Sequence, residues 1–221
     1  MPFDFEDEDT LPAEQMNGPV VVSRGSVRVA DFSTGAGPHV FGGPFGLTLQ
    51  PAQTNPVKRI AGIVRSLVGV RPLLHRVLTL DLTDPILRLH IDGLSRLPLV
   101  YGFVYDGCRL KYRVTADDAI ELLEMNRQAR AADWPYADYP EAFAARPFTL
   151  KNDGEIEPAQ VSERTWQGIN EIDPSTGIVA IVPPSSQYGV SLWGDGDDEL
   201  VQVVFEIDPA SRTVTAYNQC G

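Results

Sequence analysis

Cysteine is nearly absent: the 221 residues hold two, Cys108 and Cys220. Two cysteines exclude a disulfide framework, and neither belongs to a Cys-x-x-Cys pair, although the sequence is compatible with one bridge between them. Histidine is equally scarce. His39, His75 and His90 show neither His-x-His nor His-Glu-x-x-His spacing, so no zinc motif is present and neither a metal nor a cofactor is expected. No Gly-x-Ser-x-Gly elbow occurs, and the Gly-rich run Phe41–Gly46 lacks the Lys and Ser/Thr of a phosphate-binding loop, leaving a mobile lid or tight turns as its readings. No apolar run reaches the roughly 18 residues a membrane span needs. The opening Met-Pro-Phe-Asp-Phe-Glu-Asp-Glu-Asp is acidic, unlike a secretory signal, so the expected location is the cytoplasm.

Positive charge is also in short supply. Eighteen Lys and Arg stand against thirty Asp and Glu, giving a net charge of −12. Such a surface argues against non-specific binding to nucleic acid or anionic membrane, both of which need cationic contacts. The distribution is uneven. Residues 57–114 carry ten basic and four acidic groups, whereas residues 115–221 carry six and nineteen. Residues 1–16, rich in acids and prolines and poor in apolar side chains, cannot offset their ordering entropy and are expected to form a disordered arm. Residues 17–221, with no Ser- or Gly-rich linker, are expected to form a single domain.

The hydrophobic pattern predicts an α+β fold dominated by antiparallel sheet. Order begins at Val20-Val21-Val22 and continues into an alternating strand at Ser26–Val29. The Gly/Pro-dense stretch 33–46 reads as loop, with a short strand at its end through Leu47 and Leu49. Residues 57–69 allow a short basic helix. Leu78, Leu80 and Leu82 alternate with polar residues, as do Leu87, Leu89 and Ile91, which predicts two half-buried strands. Asp106-Gly107 between two strand-like runs predicts a hairpin pairing Tyr105 with Cys108, Phe103 with Leu110 and Tyr101 with Tyr112. Thr115-Ala-Asp117-Asp118 reads as a helix N-cap, placing one clear helix at about 115–131. Glu171–Val179 and Glu206–Val214 share a Glu-Ile-Asp-Pro opening and predict two similar hairpins with Asp-Pro turns.

Two groups of residues are candidates for function. The face of the expected hairpin that carries Arg109, Lys111 and Arg113 forms a cationic strip, widened by Arg88 and His90 if a neighbouring strand adds them. It suits phosphate, nucleic acid or an acidic protein surface. It also reads as the ordinary solvated face of a sheet, or as a surface that the acidic arm neutralises. Cys108 falls on the opposite, core face, where a thiol is inert. The second group lies in two acidic segments. Trp134, Tyr136, Tyr139 and Phe143 alternate with Asp133, Asp138 and Glu141, combining binding-rich aromatics with negative charge; prolines and aromatics that pin a long connection would give the same pattern. Trp193–Glu199 concentrates Asp195, Asp197, Asp198 and Glu199. Leu200 stands where a calcium-binding EF-hand needs Gly, so that motif is excluded, leaving a looser metal site or an exposed hairpin tip.

With no catalytic motif in view, the sequence points to a non-catalytic, cytoplasmic protein-binding domain. Its most concrete form is a bacterial immunity- or inhibitor-type protein whose acidic surface, through Trp134, Tyr136, Asp138, Tyr139, Asp195, Asp197 and Asp198, docks on a basic partner such as a toxin. The alternative is an enzyme for an anionic small molecule or nucleotide, held by Arg109, Lys111 and Arg113 with His90 as acid/base.

Overall fold

The computed structural model describes residues 18–23, 26–51, 74–105, 107–127, 140–155, 178–193 and 201–219. Twelve strands run through them: β1 (Val20–Ser23), β2 (Ser26–Asp31), β3 (His39–Gly43), β4 (Thr48–Pro51), β5 (His75–Asp81), β6 (Arg96–Tyr101), β7 (Cys108–Ala116), β8 (Ala119–Arg127), β9 (Phe143–Glu155), β10 (Ile178–Val182), β11 (Gln202–Asp208) and β12 (Thr213–Gln219). They form one sheet in the order β4-β8-β7-β12-β11-β10-β1-β2-β9-β3-β5-β6. All pairs are antiparallel except β4–β8, which is parallel. The thirteen-residue β9 joins the two halves: residues 149–155 pair with β2, and Phe143–Phe148 with β3. The Gly-rich run belongs here. Gly42 adopts φ +73°, and a Cβ there would lie 2.7 Å from the Ala144 carbonyl oxygen, so glycine permits the bulge by which β3 follows β9.

The expected α+β class is corrected by this topology: the described residues hold no α-helix, only single 3-10 turns at Pro85–Leu87 and Ser186–Tyr188. Residues 115–127 of the expected helix are the end of β7, a turn at Asp117-Asp118, and β8; residues 128–131 and the expected 57–69 helix lie outside the described residues, as does the 1–16 arm. The Asp117 carboxylate does cap backbone amides, but those of Ser95 (2.8 Å) and Arg96 (3.0 Å) at the start of β6, not of a helix. Of the two alternating strands, only β5 forms. Leu87, Leu89 and Ile91 are buried as their spacing implies, but the 3-10 turn and the left-handed Arg88 (φ 49°) break the second strand. The Glu206–Val214 hairpin forms as expected, with Asp208 accepting from the Ala210 amide (2.9 Å). Its counterpart's Asp173-Pro174 turn lies outside the described residues.

The core sits inside the curled sheet. One row, Val21–Ala180–Phe205–Ala216–Leu110, crosses β1, β10, β11, β12 and β7 with every member buried. On the opposite face Val20, Ile181, Val204 and Tyr217 are buried as well. Strands covered on both faces read as unbroken apolar runs, which accounts for Val20-Val21-Val22 and Ile178–Val182. Aromatic rings fill the interior: Tyr188 stacks on Phe41 at 4.2 Å, and Phe103 packs edge-on against Tyr101, Phe143 and Trp193.

The Asp106-Gly107 hairpin is not a hairpin. The alternation of faces holds, with Cys108, Leu110, Tyr112 and Val114 buried, but β6 pairs with β5 and β7 pairs with β8 and β12. The two strands stand apart in the sheet, β6 at its edge and β7 between β8 and β12. β6 then lies against β7 without a ladder, and a side chain supplies the missing bonds. The buried Tyr112 hydroxyl accepts from the Val100 amide (3.0 Å) and donates to the Pro98 carbonyl (3.2 Å). Proline at 98 suits this edge, where its missing N–H needs no acceptor. The Tyr101 hydroxyl adds a bond to Asn218 on β12 (3.0 Å). Cys108 is buried, as its place on the core face implies.

Polar groups close the opposite seam. His39 is fully buried; its Nδ1 accepts the Asp81 amide (3.0 Å), so Nε2 carries the proton and donates to Asp84 (3.1 Å). Asp84 also caps the 3-10 turn through the Ile86 amide (3.0 Å).

Two outcomes follow from these contacts. Tyr112→Phe keeps the ring but strips two buried backbone groups of their bond, and should cost about 2–4 kcal/mol in urea unfolding. Desolvation holds His39 and His75 below their ordinary pKa, against the attraction of Asp84 for His39 and the Pro140 carbonyl for His75. The unfolded chain therefore binds protons first, and stability is lost as pH falls below about 6.5. Asp81, Asp117 and Asp208, held low by hydrogen bonds, add their loss only below about pH 4. A His39→Gln chain should show a shallower loss of urea midpoint between about pH 7 and pH 5 than the parent.

Candidate functional site

The cationic strip exists as a row on β7, and the register shows what surrounds it. Arg109, Lys111 and Arg113 face away from the core, flanked on β8 by Asn126, Glu124 and Glu121 and on β12 by Tyr217, Thr215 and Thr213. The next strand, β11, adds Val204, Glu206 and Asp208 to the same rows. Cations on β7 thus alternate with carboxylates from both sides.

Each member is engaged. Arg109 lies over the Tyr217 ring, 5.3 Å from its centroid, while the Tyr217 hydroxyl donates to the buried Glu206 (2.9 Å). Arg113 Nη1 pairs with Glu121 at 2.7 Å, with the arginine side chain 44% exposed and the glutamate 8%. Lys111 acts on Asp208. That carboxyl is held below its usual range chiefly by the Ser211 hydroxyl, with the Ala210 and Ser211 amides and Lys111 adding to the effect against desolvation.

The strip does not gather its expected acid/base. His90 lies in the loop after the 3-10 turn, not on a strand beside β7; its side chain is 83% exposed and paired with Asp92 at 2.9 Å. Arg88 is exposed in the same loop. Sequence reasoning missed Glu121, Glu206, Asp208 and Tyr217, the groups that neutralise or cover the strip. The alternation Thr213, Thr215, Tyr217 was a legible signal for β12, but no local pattern places β12 beside β7. Among the described residues no group of three or more His, Cys, Asp or Glu is placed to hold a metal ion, and no helix is long and apolar enough to cross a membrane.

Trp134, Tyr136, Asp138 and Tyr139, and Asp195, Asp197 and Asp198, lie outside the described residues. The described residues that follow the first segment and flank the second meet on one side chain. Phe143, at the head of β9, is buried and stacks on His75 (5.1 Å), whose Nε2 bonds the Pro140 carbonyl (2.9 Å) at the end of the aromatic segment. Phe143 is therefore a core anchor. Trp193 is also buried, and its indole Nε1–H donates to the Val201 carbonyl (2.9 Å), pinning together the two ends of the acidic segment. Both anchors rest on Phe103, with ring centroids 5.4 Å (Phe143) and 5.1 Å (Trp193) away.

Comparison with protein-family models, with curated proteins and with solved structures gives no match for this chain.

The strip makes an asymmetric prediction. Arg113→Met takes the guanidinium from a buried carboxylate and should cost about 1 kcal/mol, the partial exposure of Arg113 screening a larger loss. Glu121→Gln, which keeps an acceptor for Arg113, should cost less. Urea unfolding of both variants checks the order; an equal or smaller loss for Arg113→Met would place Glu121's balance on other groups.

Proposed function

We propose that this chain is a non-catalytic protein-binding domain whose acidic segments dock on a basic partner. The observation that carries the reading is the meeting on Phe103 of Phe143, which follows residues 134–139 in the chain, and Trp193, which precedes residues 195–198. Aromatic side chains supply contact area, and clustered carboxylates speed encounter with a cationic surface.

The internal use of positive charge supports the same conclusion. Arg113 and Lys151 are paired with Glu121 and Asp31, Arg109 is stacked on Tyr217, Arg76 and Arg146 donate to the Phe45 and Gln187 carbonyls, and Arg28 is buried. With most of these cations engaged by groups of the chain itself, the acidic excess behind the net charge of −12 is what remains for a partner. Its most concrete form is a cytoplasmic bacterial immunity- or inhibitor-type protein that covers the basic surface of a toxin or nuclease.

The test reverses charge at Asp138, Asp195 and Asp197 together and measures association with the basic protein recovered from the native host. The reading expects a fall in association rate of tenfold or more and a weaker salt dependence. Unchanged kinetics in a folded variant would reject it.

A further inference from the structure

A second site is marked by a buried charge. Arg28, on β2, faces the core, opposite Val21 on β1, and is 1% exposed. Its Nε donates to the Ile86 carbonyl and its Nη1 to the Ser23 hydroxyl (2.8 Å) and the Ser26 carbonyl (3.2 Å), while Ser23 donates to the Leu87 carbonyl (3.0 Å). All these acceptors are neutral. Nη2 has no acceptor, and no carboxylate pairs with Arg28, among the described residues.

That is unusual for a cation withdrawn from water, which ordinarily keeps a counter-charge. Acids are not lacking nearby. The adjoining connection carries Asp81, Asp84 and Asp92, and each is directed elsewhere: Asp81 to Thr83, Asp84 to His39 and the Ile86 amide, Asp92 to His90. The charge that does act on Arg28 is a second guanidinium. Arg88, exposed at the end of the 3-10 turn, adds to the effect of desolvation in disfavouring the Arg28 charge. Two arginines of like charge, one holding an unused planar amino group, form half of an oxyanion clamp.

We propose that Arg28 and Arg88 form a binding site for a small oxyanion, a phosphate or carboxylate group, where the Pro85–Leu87 turn crosses the β1–β2 hairpin. Arg28 supplies the Nη2 donors and Arg88 the second charge. The site shares no residue with the acidic segments, so its failure and theirs are distinguishable.

Calorimetric titration of the full chain tests the site, with sodium phosphate and sodium acetate as probes and ionic strength held constant with sodium chloride. Saturable binding is expected, weakened at least tenfold by Arg88→Ala, whose exposed position leaves folding intact, and also by Arg28→Lys, which keeps the charge but loses the fork. Arg96→Ala, an exposed cation at the start of β6, should bind as the parent does. Tighter binding of phosphate assigns a phosphate-bearing ligand, and tighter binding of acetate a carboxylate-bearing one; either supports the site. No saturable binding of either probe, or binding undiminished by Arg88→Ala, overturns it.

Discussion

A sheet of twelve strands has two edges, and the backbone groups along one of them are answered here by side chains. The outward groups of β6 include the Arg96 amide, the Pro98 carbonyl and the Val100 amide; Asp117 serves the first and the Tyr112 hydroxyl the other two. Buried backbone groups must find partners, and an edge of buried residues such as Leu97, Leu99 and Val100 cannot rely on water. Closure of the sheet onto β7 therefore depends on two residues, Tyr112 in the middle of that strand and Asp117 just beyond its end. The rest follows from closure. With β6 held against β7 and β12, the interior closes around Phe103, and β7 is left to present Arg109, Lys111 and Arg113 on its other side.

That arrangement decides what the basic strip is. A row of three cations on an isolated hairpin would be an anion site. Inserted between β8 and β12, the same row meets Glu121 and Glu124 on one side and, one strand further, Glu206 and Asp208 on the other. The strip becomes the positive half of a charge ladder within the sheet. Three of the ten cations in the basic middle of the sequence, Arg109, Lys111 and Arg113, are engaged this way.

The residues that were legible in the sequence are those whose environment is local. Period-two alternation marked the two faces of β7 and the apolar side of β5, the Asp-Pro pair marked the β11–β12 turn, and the valine run marked a strand buried on both faces. What failed depends on distant chain. Asp117 has the chemistry of a helix cap, but the amides it caps belong to β6. Ala119–Arg127 fits helical spacing as well as strand alternation, and its pairing with β7 settles the matter. Tyr101 and Tyr112 do bind the same two layers together, through hydroxyls and not as cross-strand neighbours. For the candidate site, the cations were visible and their neutralising partners were not, because Glu121 was assigned to a helix and β12 enters the sheet from a hundred residues away.

Native-state hydrogen exchange at the Val100 amide tests the closure most directly. This amide faces no strand, and its acceptor is a phenolic oxygen. If Tyr112 closes the sheet, Val100 will exchange only in the same rare opening as the central amides of β11, with matching protection. Exchange as fast as that of an exposed edge would show that β6 is not sealed against β7, and the account of the interior would fail with it.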